Sequence, residues 1–593
     1  MNTHFLSLFI LILTAVLLLL SCQDAPKKSS QALEDLFNNY RAFQLAQYPE
    51  YATYQGDHRY DDRLTDLSPA AEKSRTDSLS GFLRVAESID ASALNDTSRV
   101  SLELFKKLMQ NAVKSASFDT WLMPLGQQEG IHIDFPQIIE TQPLQHAQEY
   151  DKYLLRLRGF PKQVADVIAN MKTGIQQGMV PPVFIAKQVL DQVSSLARMP
   201  VEETPFLIPI LHRKNMLTES DKIKYKELVT KEVKEAVLPA YLQLADFLKN
   251  EYLPHCRKDA GVWSLKNGKA YYAFQIENQT TLSLTPEQVF QTGLNEVSRL
   301  RNELEKIKEE IGFKGDILDF FKKLRTDPQF YYTSKDSMMA HYRKILQKMD
   351  TVLPSLFGHL PAAPYDLREM EDYRAKSAPQ AYYYPAPLDR SRPGYFYVNT
   401  HDLPSRPIYT MTALALHEAV PGHHIQIALA QEIKGLPWFR QDYAATGFVE
   451  GWALYAEYLG YETGMYEDNY QKLGALLFEM WRACRLVVDV GLHDKRWTRE
   501  QAVNFMLENT ANSELDIRSE IDRYISWPGQ ALTYKMGELK IKELRKRAET
   551  TLGDQFDLKL FHDKLLENGA VPLDMLEANI NVWISQTQRK KTT

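Results

Sequence analysis

The segment Leu416-His417-Glu418-Ala419-Val420-Pro421-Gly422-His423-His424-Ile425-Gln426 sets a His-Glu pair and a His-His pair on either side of a Pro-Gly break. A second segment, Phe448-Val449-Glu450-Gly451-Trp452-Ala453-Leu454-Tyr455-Ala456-Glu457, follows it. Imidazoles and a carboxylate are ligands that proteins offer to zinc. A further carboxylate beside such a ligand can move protons. The inventory is that of a hydrolase holding one Zn2+ ion.

The spacing is irregular and needs a cause. In the common zinc protease helix, His-Glu-x-x-His stacks two imidazoles at i and i+4. Here His423 is i+6 and His424 is i+7 from His417. On an unbroken helix six residues rotate by about 240° and seven advance by about 10 Å. Neither pair could then share a zinc whose His nitrogens sit at about 2.0–2.1 Å. The helix must be interrupted, and Pro421-Gly422 supplies the reason. Pro421 has no N–H for the carbonyl of His417, and its ring clashes there. Gly422 takes backbone angles that other residues resist. A bulge that loops out two residues returns His423 to the place of i+4 and turns His424 off the metal. Glu450, beside the small Gly451, is expected as third ligand, with Glu457 two turns on to orient a ligating imidazole. Glu418 follows His417 directly and faces away from the ligand side. It is placed to take a proton from water and pass it to a leaving amine. A chance His-Glu pair or a solvated helical glutamate explains any one of these features alone, but not their combination.

The elements that must position these residues read mostly as helices. Apolar residues recur at helical spacing over Gln31–Gln55, Ser101–Ser115, Gln148–Gln177 and Glu219–Glu251, with charges opposite. Thr285-Pro286-Glu287-Gln288 opens a helix to about Ile311, with Thr as N-cap and Gln closing a capping box. Pro528-Gly529 reads as the end of one helix and the start of another. The exception is 380–400, where aromatic, sheet-favouring runs flank a loop and predict a hairpin just upstream of His417. Its edge could pair with an extended peptide, which makes Tyr395, Tyr397 and Asn399 candidate substrate contacts. A small structural sheet is the plainer alternative. The fold class is mainly α: a large helical body with a small β-sheet near the metal site.

At 593 residues the chain can bury a large core, and 44% hydrophobic with 25% charged residues is ordinary for a globular protein. The net charge of −6 comes without a basic stripe, which argues against nucleic acid as a partner. Residues 1–21 read as a signal peptide, 22–30 as a polar tether, and 31–593 as the helical metallopeptidase-like domain. Leu19-Leu20-Ser21-Cys22 resembles the bacterial lipoprotein cleavage box. The expectation is a body held to the membrane by lipid on Cys22, in the cell envelope, facing the periplasm or the cell surface. Met1-Asn2-Thr3-His4 lacks the usual basic residue. Beyond Cys22 there are only Cys256 and Cys484, which is no disulfide framework and no Cys-based zinc site. A single Cys256–Cys484 bond stays open.

HEAVPGHHIQ at His417–Gln426 and EGWALYAE at Glu450–Glu457 resemble the bacterial domain-of-unknown-function family eight-eight-five, grouped with the gluzincin-type metallopeptidases. Also similar are RPGYFYVN at Arg392–Asn399, RLVVDVGLH at Arg485–His493, DRYISWPGQALTYKMG at Asp522–Gly537 and PEYATYQGDHRYDD at Pro49–Asp62. The resemblance implies a helical body with a deep cleft, like the angiotensin-converting-enzyme-like peptidases, acting on short peptides. A zinc peptidase needs a donor for the oxyanion; Tyr534 and His493 are the candidates. Arg523 or Lys535 could hold a substrate carboxylate. Two rivals remain: a hydrolase of a non-peptide or cell-wall amide on the same site, and a non-catalytic peptide-binding lipoprotein.

Overall fold

The computed structural model describes residues 27–371, 375 and 379–589. The signal-like segment 1–21 and Cys22 lie outside the described residues. Residues 27–30 of the expected tether already belong to a helix over 27–47. No helix among the described residues is long and apolar enough to cross a membrane. The contacts gather in two compact units, one up to Lys258 and one from Asp259.

In the first unit the helices Ala147–Gln177 and Val183–Ala197 and the run Glu219–Tyr252 close over one apolar core that includes Phe135, Phe160, Tyr153, Val229 and Tyr241. The helix read from Gln31 to Gln55 stops at Tyr48, because Pro49 starts a new one, Pro49–Tyr54. Arg156 explains the motif Pro49–Asp62. Its buried guanidinium donates to Thr53 Oγ1, Gln142 Oε1 and the carbonyls of Pro49, Tyr60 and Arg63. These residues fold the segment around one cation. They are structural.

In the second unit the capping box closes as the sequence predicts: Thr285 caps Pro286–Glu310, with Gln288 reaching back. This helix lies along Asn469–His493 at Gly293, where a Cβ would fall 2.8 Å from Leu486 and Val487. The sheet has three strands in the order β1-β3-β2: β1 Tyr365–Glu369, β2 Ala381–Tyr384 and β3 Gly394–Val398. β2 and β3 form the expected antiparallel pair, with Tyr383 opposite Phe396 and Tyr382 opposite Tyr397. β1, parallel to β3, was not expected; Asp366, Arg368 and Glu369 give it little sheet character. Side chains alternate across the sheet. Phe396 packs on Tyr342, 5.4 Å between rings, and its partner Tyr383 shares that face. Tyr382, Tyr395 and Tyr397 cluster with Met370 on the other. Cys256 and Cys484 are free thiols, the latter buried.

Candidate metal centre

The helix that carries His417 runs Met411–Glu418 and stops. Four residues of turn follow, and the next helix starts on His423 and runs to Glu432. The backbone bridges the break with a bond from His424 N–H to the Ala419 carbonyl, 3.1 Å. Gly422 is required: a Cβ there would lie 1.9 Å from the His417 carbonyl oxygen and 2.4 Å from that of Leu416. The break is pinned from outside as well. Trp452, fully buried, donates its indole N–H to the Pro421 carbonyl at 2.9 Å. The Trp of the EGW motif thus fixes the shape of the other motif, a role the sequence reading did not assign.

The interruption brings the two imidazoles together, with ring centres 4.9 Å apart. Glu450, on the helix Thr446–Glu462, joins them. Its Oε2 is 3.5 Å from His417 Nε2 and 3.9 Å from His423 Nε2. One donor atom from each of His417, His423 and Glu450 lies within 4.8 Å of the others. Tetrahedral ligands at about 2.0 Å from zinc are about 3.3 Å apart. The set fits a zinc ion by donor type, and the two spacings to Glu450, 3.5 and 3.9 Å, would need to close by about 0.2 and 0.6 Å.

Both imidazoles have their own support. His417 Nδ1 donates to Glu457 Oε1 at 2.7 Å, leaving Nε2 for the site. Glu457 in turn lies 4.0 Å from Arg482. The Gln426 amide is 2.7 Å from His423 Nδ1 and also donates to the Val449 carbonyl, next to Glu450. Gln426 closes the HEAVPGHHIQ motif, but no role was read for it. His424 turns away: its Nδ1 is 2.8 Å from the Tyr383 hydroxyl, and burial lowers its pKa to about 4.

The charges suit a cation. Burial pulls the pKa of His417 down, but hydrogen bonds to Glu450 and Glu457 and the charge of Glu418 outweigh it and raise it to about 10. These carboxylates demand positive charge at one nitrogen, and a proton and a metal ion compete for that lone pair. Burial holds His423 at about 4, a neutral base at pH 7. Burial would raise Glu450, yet the His417 hydrogen bond and the electrostatic pull of His423, when protonated, His417 and Arg482 hold it at about 2. Glu418 is pushed up to about 7, chiefly by burial. Its Oε2 accepts the backbone N–H of Tyr383 on the edge strand β2, 3.0 Å. A carboxyl poised near neutrality can both take and return a proton.

The remaining candidates divide. Tyr534 lies on the helix Thr533–Leu552, which meets the Glu450 helix backbone to backbone: a Cβ on Gly451 would fall 2.5 Å from the Gly537 Cα. Burial and the charge of Glu450 raise its pKa, so the phenol keeps its proton. His493 is a correction. It is fully buried, its Nδ1 accepts the Val262 N–H at 3.2 Å, and its Nε2 lies 3.0 Å from the Tyr524 carbonyl. Neither nitrogen is left for an oxyanion. Lys535 is another: it is enclosed by Glu296, Glu479 and Glu538 at 3.0, 2.5 and 2.7 Å. Arg523 is held by Glu520 and Gln530. Asn399 ties down its own loop, donating to the Ala375 and Pro379 carbonyls and accepting the His401 N–H. Tyr395 and Tyr397 face away from the metal side of the sheet, one strand position out of phase with Tyr383. The alternation of β3 was legible, but which face met the histidines was not.

With this geometry in hand, likenesses to known proteins take on meaning. The family model described as "Bacterial protein of unknown function (DUF885)" matches residues 49–580. A solved structure described as "the putative lipoprotein from Colwellia psychrerythraea" is similar with a TM-score of 0.86 and 31% identity, over 94% of this chain and 100% of that one. Another, described as "a putative lipoprotein of unknown function from Shewanella oneidensis", has a TM-score of 0.75 and 19% identity, over 92% and 99%, and shares the fold. The chain matches no curated protein.

Proposed function

The chain belongs to the family of bacterial proteins of unknown function DUF885, and from that premise we propose that it is a zinc-dependent hydrolase of short peptides. The observation that carries this reading is the convergence of His417, His423 and Glu450, with Glu418 adjacent and supported by an edge strand. His417 and His423 would offer Nε2 and Glu450 its carboxylate. Zinc held there supplies a Lewis acid for the scissile carbonyl and acidifies a water. Glu418 takes the proton of the attacking water and delivers it to the leaving amine. Tyr534 donates to the developing oxyanion. β2 has one strand neighbour, and its Tyr383 N–H points outward to Glu418. An extended peptide laid along that edge would run past Glu418.

Zinc, the peptide substrate and the lipid anchor on Cys22 are all parts of this proposal. The relatives described as lipoproteins support the anchor and a place in the cell envelope. A binder without chemistry would have no use for a buried carboxyl beside the metal ligands, held toward an edge strand. The test is Glu418→Gln in the zinc-loaded protein, assayed on peptides and on cell-wall fragments. Turnover of peptides should fall roughly 100- to 10,000-fold with zinc content unchanged. Full activity in that variant, or cleavage of cell-wall fragments alone, overturns the reading.

A further inference from the structure

Arg485 sits on the helix Asn469–His493 with its side chain 8% exposed. Its Nε donates to the Tyr524 hydroxyl at 2.8 Å and its Nη2 to Glu520 Oε2 at 3.1 Å. Its third nitrogen, Nη1, is buried and has no hydrogen-bond partner among the described residues. An unpaired N–H on a buried cation is costly unless something completes it.

The charges around it do not balance. Glu520 also accepts both an Nε and an Nη2 bond from Arg523, so two guanidiniums share one carboxylate. Asp489, one turn after Arg485 on the same helix, is tied to the Tyr272 hydroxyl and the Gly529 N–H. One turn before Arg485, Arg482 has a buried, unpartnered Nε and faces the carboxylates of Glu457 and Glu450. At Glu520 itself two guanidiniums meet one carboxylate, a local surplus of positive charge.

This surplus borders the metal centre. The guanidinium of Arg485 lies over the Tyr534 ring, 4.6 Å from its centre. Tyr534 stands one helical turn before Gly537, whose backbone touches Gly451, the neighbour of Glu450. Arg482, on the same helix, reaches toward Glu457, which holds His417.

We propose that Arg485, flanked by Arg482 and Arg523, is the subsite for the free carboxylate at the C-terminus of a peptide, so that the hydrolase is a carboxy-terminal exopeptidase. This rests on the metal-hydrolase reading of the same centre. A guanidinium offers carboxylates charge and directed N–H groups together, and an amide hydrolase meets that anion on every free peptide end. Arg523 could offer the same chemistry, but its donors are already shared between Glu520 and Gln530.

The test compares three forms of one peptide with the full chain: free acid, C-terminal amide, and an amide ending in glutamate. Cleavage is followed in the wild-type protein, and binding in the Glu418→Gln variant, which reads the subsite without turnover. The free acid should exceed the plain amide roughly 100-fold in kcat/KM and in affinity. Arg485→Lys, which keeps the buried charge but loses the fork, should lose most of that preference. Equal handling of acid and amide overturns the proposal. So does a glutamate-ended amide that matches the free acid, since the anion then comes from a side chain. A binding preference for the acid without wild-type cleavage upholds the subsite and removes the hydrolase reading instead.

Discussion

At the residue scale the candidate centre is built from pairs, each of its two imidazoles set by a partner behind it. Glu457 is the clearest. It accepts the Nδ1–H of His417 at 2.7 Å and is nearly fully buried. Partners of this kind fix ring orientation and raise ligand basicity. Glu457→Ala should therefore weaken zinc binding roughly 10- to 100-fold, read by competition with a chromophoric chelator. His424→Ala, by contrast, should leave zinc affinity unchanged, because that ring turns to Tyr383. Loss of zinc in the second variant and not the first would reverse the ligand assignment. The types of these residues were open to sequence reading, since a His-Glu pair and a later Glu carry recognisable chemistry. Gln426, Tyr383 and Arg485 were not, because their meaning lies in what they touch across the fold.

At the element scale two glycine contacts decide the geometry. Gly422 permits the break, and Gly451 against Gly537 lets two helices approach until their backbones meet. The Pro-Gly step made the break predictable from covalent structure alone. The capping box at Thr285 and the hairpin of β2 and β3 were legible for the same reason: each is set by residues close in the chain. The parallel strand β1 and the phase of Tyr395 and Tyr397 depend on distant partners, so local sequence could not assign them. Gly537→Ala tests the helix contact. Its Cβ would fall 1.9 Å from the Gly447 carbonyl oxygen and 2.8 Å from the Gly451 Cα, so the helices must part. Overpacking of this kind costs about 1–3 kcal/mol, seen as a lower urea midpoint at unchanged slope. Activity should fall further than stability does, because Tyr534 moves with its helix. An unchanged midpoint would show that the helices are not held at this contact.

At the scale of the whole molecule, buried charge is the feature that sets response to acid. Lys535 is enclosed by Glu296, Glu479 and Glu538, and Arg485 and Arg523 converge on Glu520. Burial would raise these carboxyls. Instead, Lys535, Lys542 and Arg299 hold Glu479 well below the usual range, while Arg485 and Arg523 hold Glu520 at about 2 against the ordinary 4.5. A carboxyl whose pKa is depressed by folding adds stability that is complete above its unfolded value. That stability is lost as pH falls through the folded value. The Glu520 contribution to urea midpoints, measured with a chelator present, should thus hold steady above the ordinary glutamate value and decline from 4.5 toward about 2. Glu520→Gln should lower the midpoint at neutral pH, by leaving two arginines without their shared anion, and should flatten the decline. The same slope in the variant and the parent would mean that the arginine pair does not hold Glu520 ionised. The arginine surplus proposed to receive a peptide carboxylate would then lose its physical basis as well, since both follow from one count of charges.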